Sequence, residues 1–220
     1  MTGKICDRYW MRPMTQADMT TVARWFEQLA DLSLFDRRIP LPLSSDGYLA
    51  AWGESLSERE PRTAYWFAVE DSDGALVGIS GLQDVNYVNG DAVFPIFMVE
   101  TLRLKGIGTR VGAAMLDLAF SQLRLRRVTS YCRGDNHVSR HMTDSLGFRE
   151  EGRLREAWYA DGYHHDITVI GILAKEWLDR REALSQRLSR DVLVSLGRPP
   201  SESWTWPPAT GSRLEPAASG

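Results

Sequence analysis

The sequence predicts an α/β domain with a mixed, mostly antiparallel central sheet flanked by helices. Three strand-like segments joined by tight turns stand in the first half of the chain, which is typical of an antiparallel meander. Apolar segments of helical and strand period alternate after residue 106. The predicted order of elements is β-α-α-β-β-β-α-β-α-β-β, followed by a C-terminal helix and a flexible tail.

The chain opens with a predicted strand over residues 8–12 and two predicted helices. Thr15, followed three residues later by an aspartate, is a helix-start signal, and apolar residues at helical spacing extend the first helix over 16–30. The second helix is predicted near 46–58. It lies inside an irregular region, 31–62, and irregular segments beside a rigid sheet often shape substrate pockets.

The meander follows the irregular region. Its strands are predicted over residues 65–70, 76–85 and 92–99. The turns between them are Asp71-Ser72-Asp73-Gly74 and Asn89-Gly90, both rich in the residues that tight turns favour. The third strand therefore leads directly into the segment around residue 103.

The second half of the chain is predicted to complete the sheet. Helices are expected over 107–123 and 136–146, and strands over 127–133, 148–155 and 163–173. Gly147 is predicted to cap the second of these helices. We expect one domain over 1–175, a helix over 176–197 and a flexible Pro-, Ser- and Gly-rich tail over 198–220. Trp204 and Trp206 are unusual for a disordered tail, so they are expected to dock on the same domain or on a second subunit.

Composition limits the classes of function. The chain has 220 residues and a net charge of -3, so it has no global basic field, and nucleic acid is not an expected partner. Its cysteines, Cys6 and Cys132, have neither disulfide nor metal-site spacing and fit a reducing cytoplasm. No run approaches the roughly 20 apolar residues of a membrane span. A cytoplasmic protein without a metal is expected.

The segment Arg103-Leu104-Lys105-Gly106-Ile107-Gly108-Thr109 joins a predicted strand to a predicted helix. Such a junction gathers free main-chain N–H groups at the positive end of a helix dipole, which is what a pyrophosphate requires. Gly106 and Gly108 would let the main chain of Lys105 to Thr109 approach the phosphates, and Arg103 and Lys105 would add positive charge. An ordinary turn, or an NADP-binding unit based on Gly106, Gly108 and Gly112, are the alternatives.

Three segments together resemble a known family. They are Arg103-x-x-Gly106-x-Gly108, Asn136-His137-Val138-Ser139 with Ser145-Leu146-Gly147-Phe148, and Gly152-Arg153-Leu154-Arg155-Glu156 with Asp161-Gly162-Tyr163-His164-His165-Asp166. With the order of elements, they resemble the GNAT superfamily of acetyl-CoA-dependent N-acetyltransferases over about residues 8–175. The third segment resembles the branch with ribosomal-protein N-terminal, spermidine and amino-sugar acetyltransferases.

The resemblance implies acetyl-CoA as co-substrate and a GNAT-like fold. The strand before the loop, here Phe94 to Val99, would splay from its neighbour and pair with the pantetheine arm, and Pro95 is compatible with such a break. A main-chain N–H near Met98 or Val99 would polarise the thioester. The cofactor-binding residues expected in this way and from the loop are Met98, Val99, Arg103, Lys105, Gly106, Ile107, Gly108, Thr109, Asn136 and Ser139.

The groups that transfer protons are less well defined. Val93 stands where many relatives have a glutamate base, and Thr143 stands where many have a tyrosine acid. The base is therefore sought among Asp84, Asp91 and Glu100, acting directly or through water, and Ser139 is the group expected near the sulfur. The catalytic residues predicted are Ser139, Asp91 and Glu100.

The resulting prediction is an N-acetyltransferase that acts on a small-molecule or peptide amine. The acceptor stays open among polyamine, protein N-terminus, amino sugar and amino-acid-like antibiotic. Acidic residues that could attract a cationic amine are Asp36, Asp46, Glu54, Asp84 and Asp91. A non-catalytic acyl-CoA-binding module and a transferase for a larger acyl group are the alternatives, and a homodimer is the expected assembly.

Overall fold

The computed structural model describes residues 6–56, 60–198, 200 and 204–209. Its strands are β1 (Asp7–Pro13), β2 (Tyr65–Glu70), β3 (Leu76–Asn86), β4 (Asp91–Val93), β5 (Ile96–Met98), β6 (Arg127–Arg133), β7 (Arg149–Ala160), β8 (Tyr163–Leu173), β9 (Val192–Leu196) and β10 (Thr205–Trp206). Its helices are α1 (Met19–Trp25), α2 (Leu29–Phe35), α3 (Ser45–Trp52), α4 (Ile107–Asp117), α5 (His137–Leu146) and α6 (Ala174–Arg187).

The strands form one mixed sheet with the order β10-β9-β1-β2-β3-β4-β6-β8-β7, and β5 pairs with β3 beside this path. The pairs β1–β9 and β4–β6 are parallel, and the other pairs are antiparallel. The predicted mixed, mostly antiparallel α/β fold is confirmed. The NADP-binding alternative is wrong, because a single parallel β4–α4–β6 unit does not make the parallel sheet of a dinucleotide-binding domain.

The predicted helix over 16–30 is interrupted. Thr15 does begin a helical segment, since its N–H donates to Asp18 at 2.8 Å, but the chain leaves the helix between α1 and α2. Phe26 lies at this break and is fully buried, with its ring 5.0 Å from that of Phe97. The break turns the chain so that Phe26, at the break, and Leu32, in α2, both pack into one aromatic cluster.

The C-terminal region also differs from the prediction. The helix expected over 176–197 ends at Arg187, and β9 then pairs in parallel with β1. Trp206 is buried in the same domain, in β10, so the prediction of a flexible tail is wrong for residues 204–209. The remaining residues of that tail, 199, 201–203 and 210–220, lie outside the described residues. Open pairing groups at the edge of β1 explain why this segment becomes a strand.

The predicted strand over 92–99 is divided into β4 and β5 at Phe94 and Pro95. β4 pairs with β3 and in parallel with β6, whereas β5 pairs with β3. Pro95 has no N–H to donate, and its carbonyl accepts from Gly81 N at 3.1 Å. The sheet therefore splays beyond β4 and leaves a cleft between β5 and β6.

None of the helices in the described ranges has both the length and the apolar content that a bilayer crossing requires. Within the same ranges, no three or more His, Cys, Asp or Glu side chains are grouped so that they could hold a metal ion. Cys6 and Cys132 are both free thiols.

Candidate active site

The cleft between β5 and β6 contains a cavity of about 420 Å³. Its walls come from the β4–β5 segment, from the loop before α4, and from β6 and α5. Residues 34–38 at the end of α2, together with Trp52 and Trp66, also line it. The glycine loop contributes Gly106, Gly108 and Thr109.

The main chain of β5 offers unpaired groups to this cavity. The Val99 N–H donates to the Val77 carbonyl at 3.0 Å, so it is not available for a ligand. Antiparallel strands direct successive main-chain groups to opposite sides, and the groups of Ile96 and Met98 therefore point away from β3 into the cleft. Of the two N–H groups expected to polarise a thioester, Met98 has the suitable direction and Val99 does not.

The glycine loop ends in the first turn of α4. Gly106 is the N-cap of this helix, with φ of 76°, and a Cβ there would lie 2.8 Å from the Arg110 guanidinium. The N–H groups of Ile107, Gly108 and Thr109 belong to the first turn and have no partner inside the helix. The loop therefore forms the N–H-rich helix end that the sequence predicts. Lys105 is exposed beside it.

Arg103 lines the cavity, and its guanidinium already has partners within the protein. Its guanidinium donates to Asp31 of α2 at 2.6 Å, and its Nε donates to the Met98 carbonyl at 3.0 Å. The guanidinium also lies 5.4 Å from the centre of the Phe97 ring. Arg103 thus anchors the end of β5 to α2, whereas the exposed Lys105 has neither a hydrogen bond nor an ion pair within the described part of the chain.

Asn136 and Ser139 face the cavity from the beginning of α5. Asn136 is the N-cap, and its Oδ1 accepts from the Ser139 N–H at 3.0 Å. The Ser139 hydroxyl lies 3.2 Å from the thiol of Cys132, whose pKa is raised by burial. The hydroxyl of Thr143 donates to the Ser139 carbonyl at 3.0 Å, so Thr143 does not replace the tyrosine acid.

Seven of the ten predicted cofactor-binding residues line the cavity. They are Met98, Arg103, Gly106, Gly108, Thr109, Asn136 and Ser139. Val99, Lys105 and Ile107 do not line it. Sequence reasoning missed Ser130, whose hydroxyl donates to the Phe94 carbonyl at 2.8 Å and fixes the point where the sheet divides. The available signal was its place in the strand, where it alternates with Val128 and Cys132 and so shares their buried face.

Two predicted catalytic carboxylates lie outside the cavity. Asp91 is at the start of β4, in register with Arg127, whereas the cavity begins at the other end of that strand. Glu100 is exposed in the short 3-10 turn after β5. Asp84 is the candidate base that does line the cavity. It has φ of 50° at a register shift in β3, and this irregularity displaces it from the regular ladder.

Asp36 also lines the cavity and is buried. It accepts from the Arg38 guanidinium at 3.1 Å and from the Trp52 indole N–H at 3.0 Å. Burial alone raises the pKa of this carboxyl, but the hydrogen bonds from Arg38 and Trp52 outweigh it and hold the pKa below its ordinary value. Asp46 and Glu54, the other acidic residues expected on this wall, do not line it.

Residues 8–149 match the family described as acetyltransferase (GNAT) domain. A spermidine N(1)-acetyltransferase of Vibrio cholerae is 30% identical over 53% of this chain and 67% of the relative. YdaF of Bacillus subtilis, provisionally named a ribosomal N-acetyltransferase, is 33% identical over 48% of this chain. That match covers 57% of YdaF, so the chain spans little more than half of this relative's length.

Solved structures show the same fold. The crystal structure of spermidine N-acetyltransferase from Vibrio cholerae in complex with CoA and spermine has a TM-score of 0.69 and 23% identity, and covers 77% of this chain and 98% of its own. The family match extends over β1 to the start of β7 and so includes the glycine loop, the split strand and α5. The chain therefore belongs to the GNAT acetyltransferase family.

Proposed function

We propose that the protein is an N-acetyltransferase that moves the acetyl group of acetyl-CoA directly to a primary amine. The observation that carries this proposal is the split between β5 and β6 beside the glycine loop. A long arm with amide groups can pair with the main chain of Ile96 and with the Met98 N–H as an added strand would. Its pyrophosphate would then lie at the N-terminus of α4.

The cavity supports a direct transfer. A neutral amine attacks the thioester carbonyl carbon, and the Met98 N–H stabilises the tetrahedral oxyanion. The intermediate expels the CoA thiolate, the C–S bond breaks and an amide is formed. Asp84 accepts the proton of the amine through water, and the Ser139 hydroxyl donates to the departing sulfur. Asp84 takes the role that the sequence assigned to Asp91 and Glu100, because Asp84 lines the cavity.

The names of the relatives bear on the acceptor. Spermidine is named for relatives in Vibrio cholerae and Escherichia coli, and the ribosome for YdaF. These names support an amine acceptor as a class. A cytoplasmic homodimer is part of the same proposal, and the two free thiols fit a reducing compartment.

Release of the CoA thiol tests the proposal. The purified protein is given acetyl-CoA and a panel of primary amines, and Gly108→Asp is compared with Gly152→Asp. A Cβ at Gly108 has only ordinary contacts, to Met142 at 3.4 Å, and a Cβ at Gly152 meets nothing within 4 Å. The two variants therefore add the same charge at the loop and at a distant surface.

We expect amine-dependent thiol release by the wild type and by Gly152→Asp. Gly108→Asp should raise the KM for acetyl-CoA by at least about tenfold, because its carboxylate would repel the pyrophosphate. Tight binding of acetyl-CoA without release from any amine would favour a binding module. Release from longer acyl-CoA alone would favour the larger acyl group.

A further inference from the structure

The acceptor end of the cavity indicates which amine it takes. We infer that the acceptor is a single primary amine on an apolar, aromatic-sized body, and not a polyamine. This inference rests on the proposed function. It is drawn from the shape and the charges of the wall formed by residues 34–38, Trp52, Trp66 and Asp84.

Aromatic rings make up the apolar part of this wall. The rings of Trp52 and Trp66 are parallel, with an interplanar angle of 2° and centroids 6.2 Å apart. The Phe35 ring lies 5.7 Å from that of Trp52 and 6.4 Å from that of Trp66. Phe35 and Trp66 are only half-buried, so they keep apolar surface free at the cavity. Such surfaces favour an apolar or aromatic group of a ligand.

Several charged side chains of the cavity form ion pairs with side chains of opposite charge. Asp36 is paired with Arg38 at 3.1 Å, and Arg103 is paired with Asp31 at 2.6 Å. The charged cavity residues for which the described part of the chain shows neither a hydrogen bond nor an ion pair are Arg37 and Asp84. Within the described residues, one carboxylate and one guanidinium of the cavity are thus left without a bonded partner.

This balance suits one ammonium group and disfavours several. Asp84 can attract the amine of the acceptor, and its electrostatic effect already reaches Arg38. Every additional ammonium group would lose hydration without gaining a carboxylate, which is costly in a partly buried site. Arg37 would also repel each additional ammonium group. A monoamine avoids both costs and places its body against Phe35 and Trp66.

The test compares spermidine with 2-phenylethylamine as acceptors for acetyl-CoA. Wild-type kcat/KM is expected to be at least about tenfold higher for 2-phenylethylamine, because one unpaired charge contact at a partly exposed site is worth that factor. Arg37→Glu should raise kcat/KM for spermidine at least about fivefold, since it replaces a repulsive charge by an attractive one. Arg24→Glu is the control, because Arg24 is exposed on α1 and does not line the cavity.

Other outcomes overturn the inference. A wild-type preference for spermidine would overturn it and leave the proposed function intact. An equal change in kcat/KM for spermidine in Arg37→Glu and Arg24→Glu would overturn the role given to the charge of the wall. If no amine accelerates thiol release while acetyl-CoA binds, the proposed function fails, and the inference fails with it.

Discussion

Among single residues, Asp36 stabilises the acceptor end of the cavity through its hydrogen bonds to Arg38 and Trp52. It joins the end of α2 to α3 through the Trp52 indole, and it also accepts from the Arg38 main-chain N–H at 2.9 Å. These donors stabilise the ionised carboxyl more than burial destabilises it, so its pKa lies below the ordinary value of 3.8. The aromatic wall therefore depends on one ionised group.

This gives a prediction for Asp36→Asn. A carboxyl with a lowered folded-state pKa contributes stability above its unfolded pKa and loses it as the pH falls through the folded pKa. Wild type should exceed Asp36→Asn in free energy of unfolding by about 1–3 kcal/mol at pH 7. The difference should shrink below about pH 4. Urea unfolding at pH 7, 5 and 3 measures it.

Asp46→Asn is the control for this prediction, because Asp46 is exposed on α3. It should have little effect at any of these pH values. A constant difference between wild type and Asp36→Asn from pH 7 to pH 3 would contradict the assigned ionisation.

Among the elements, α4 is held at both ends by the C-terminal segment. The buried Arg110 guanidinium donates to the carbonyls of Gly106 at 3.0 Å, Val192 at 2.9 Å and Ser189 at 2.6 Å. Burial lowers the pKa of Arg110. The glycine loop is thus bonded to residues 189–192, which lie beyond the part that matches the family, 8–149.

The other end of α4 has a similar arrangement around Asp117. Its carboxylate accepts from the indole N–H groups of Trp177 at 2.9 Å and Trp206 at 2.7 Å, and from Arg181 at 2.8 Å. Burial raises the pKa of Asp117, and these donors oppose that effect. The C-terminal segment therefore also holds the C-terminal end of α4, which is the end away from the turn expected to meet the cofactor.

Arg110→Met should weaken binding of the pyrophosphate and leave the chemistry intact. Without the guanidinium the Gly106 carbonyl loses its link to residues 189–192, and the KM for acetyl-CoA should rise about tenfold, equivalent to the loss of one hydrogen bond to a charged group. Turnover of S-acetylpantetheine, which has no pyrophosphate, should not change. Steady-state kinetics with both donors measures the effect.

Trp206→Phe is the matched control, because it removes a hydrogen bond at the distant end of α4 and keeps an aromatic ring there. It should leave the KM for acetyl-CoA unchanged. An equal loss of kcat/KM with both acyl donors in Arg110→Met would show a general structural role. It would refute the claim that Arg110 positions the glycine loop for the pyrophosphate.

For the whole molecule, the strands added after α6 complete the sheet and cover the core. The Trp206 ring lies 5.6 Å from that of Trp177, and the Arg181 guanidinium lies 5.1 Å from the Trp206 ring centre. Trp206 is 1% exposed. A residue with such burial contributes to the stability of the entire domain and not of a separate tail.

Trp206→Ala should therefore destabilise the domain by about 3–5 kcal/mol. For a chain of this size the melting temperature should fall by roughly 10 °C. Trp204→Ala, at a half-buried position two residues earlier, should lower the free energy of unfolding much less. Thermal unfolding followed by circular dichroism compares the three proteins, and equal melting temperatures for the two variants would contradict the role of Trp206.

Local signals were sufficient for a large part of this fold. Strands β6 and β8 have the predicted bounds, and α5 is capped by Asn136 at its N-terminus and by Gly147, which has φ of 98°, at its C-terminus. Caps and turns act within a few residues, so a single sequence carries them. The fold class followed from such elements in their order.

Long-range pairing was not predictable in the same way. The break at Phe26 and the strand β9 depend on the aromatic cluster and on the free edge of β1, which are distant in sequence. The site has the same limit: Asp84 and Asp91 lie on the two strands joined by one turn, and the register shift in β3 accompanies the position of Asp84 at the cavity. Resemblance located the loop and α5, but not these irregularities.

The hydrogen bonds of Arg110 also bear on when, during its synthesis, the chain can hold the cofactor. Ser189, one partner of its guanidinium, is synthesised 79 residues later. A growing polypeptide on the ribosome can form the glycine loop early, yet that loop lacks two of the three carbonyl contacts to Arg110 until the last strands have been made. We therefore expect a nascent chain to reach its full affinity for acetyl-CoA only after Val192 has been made.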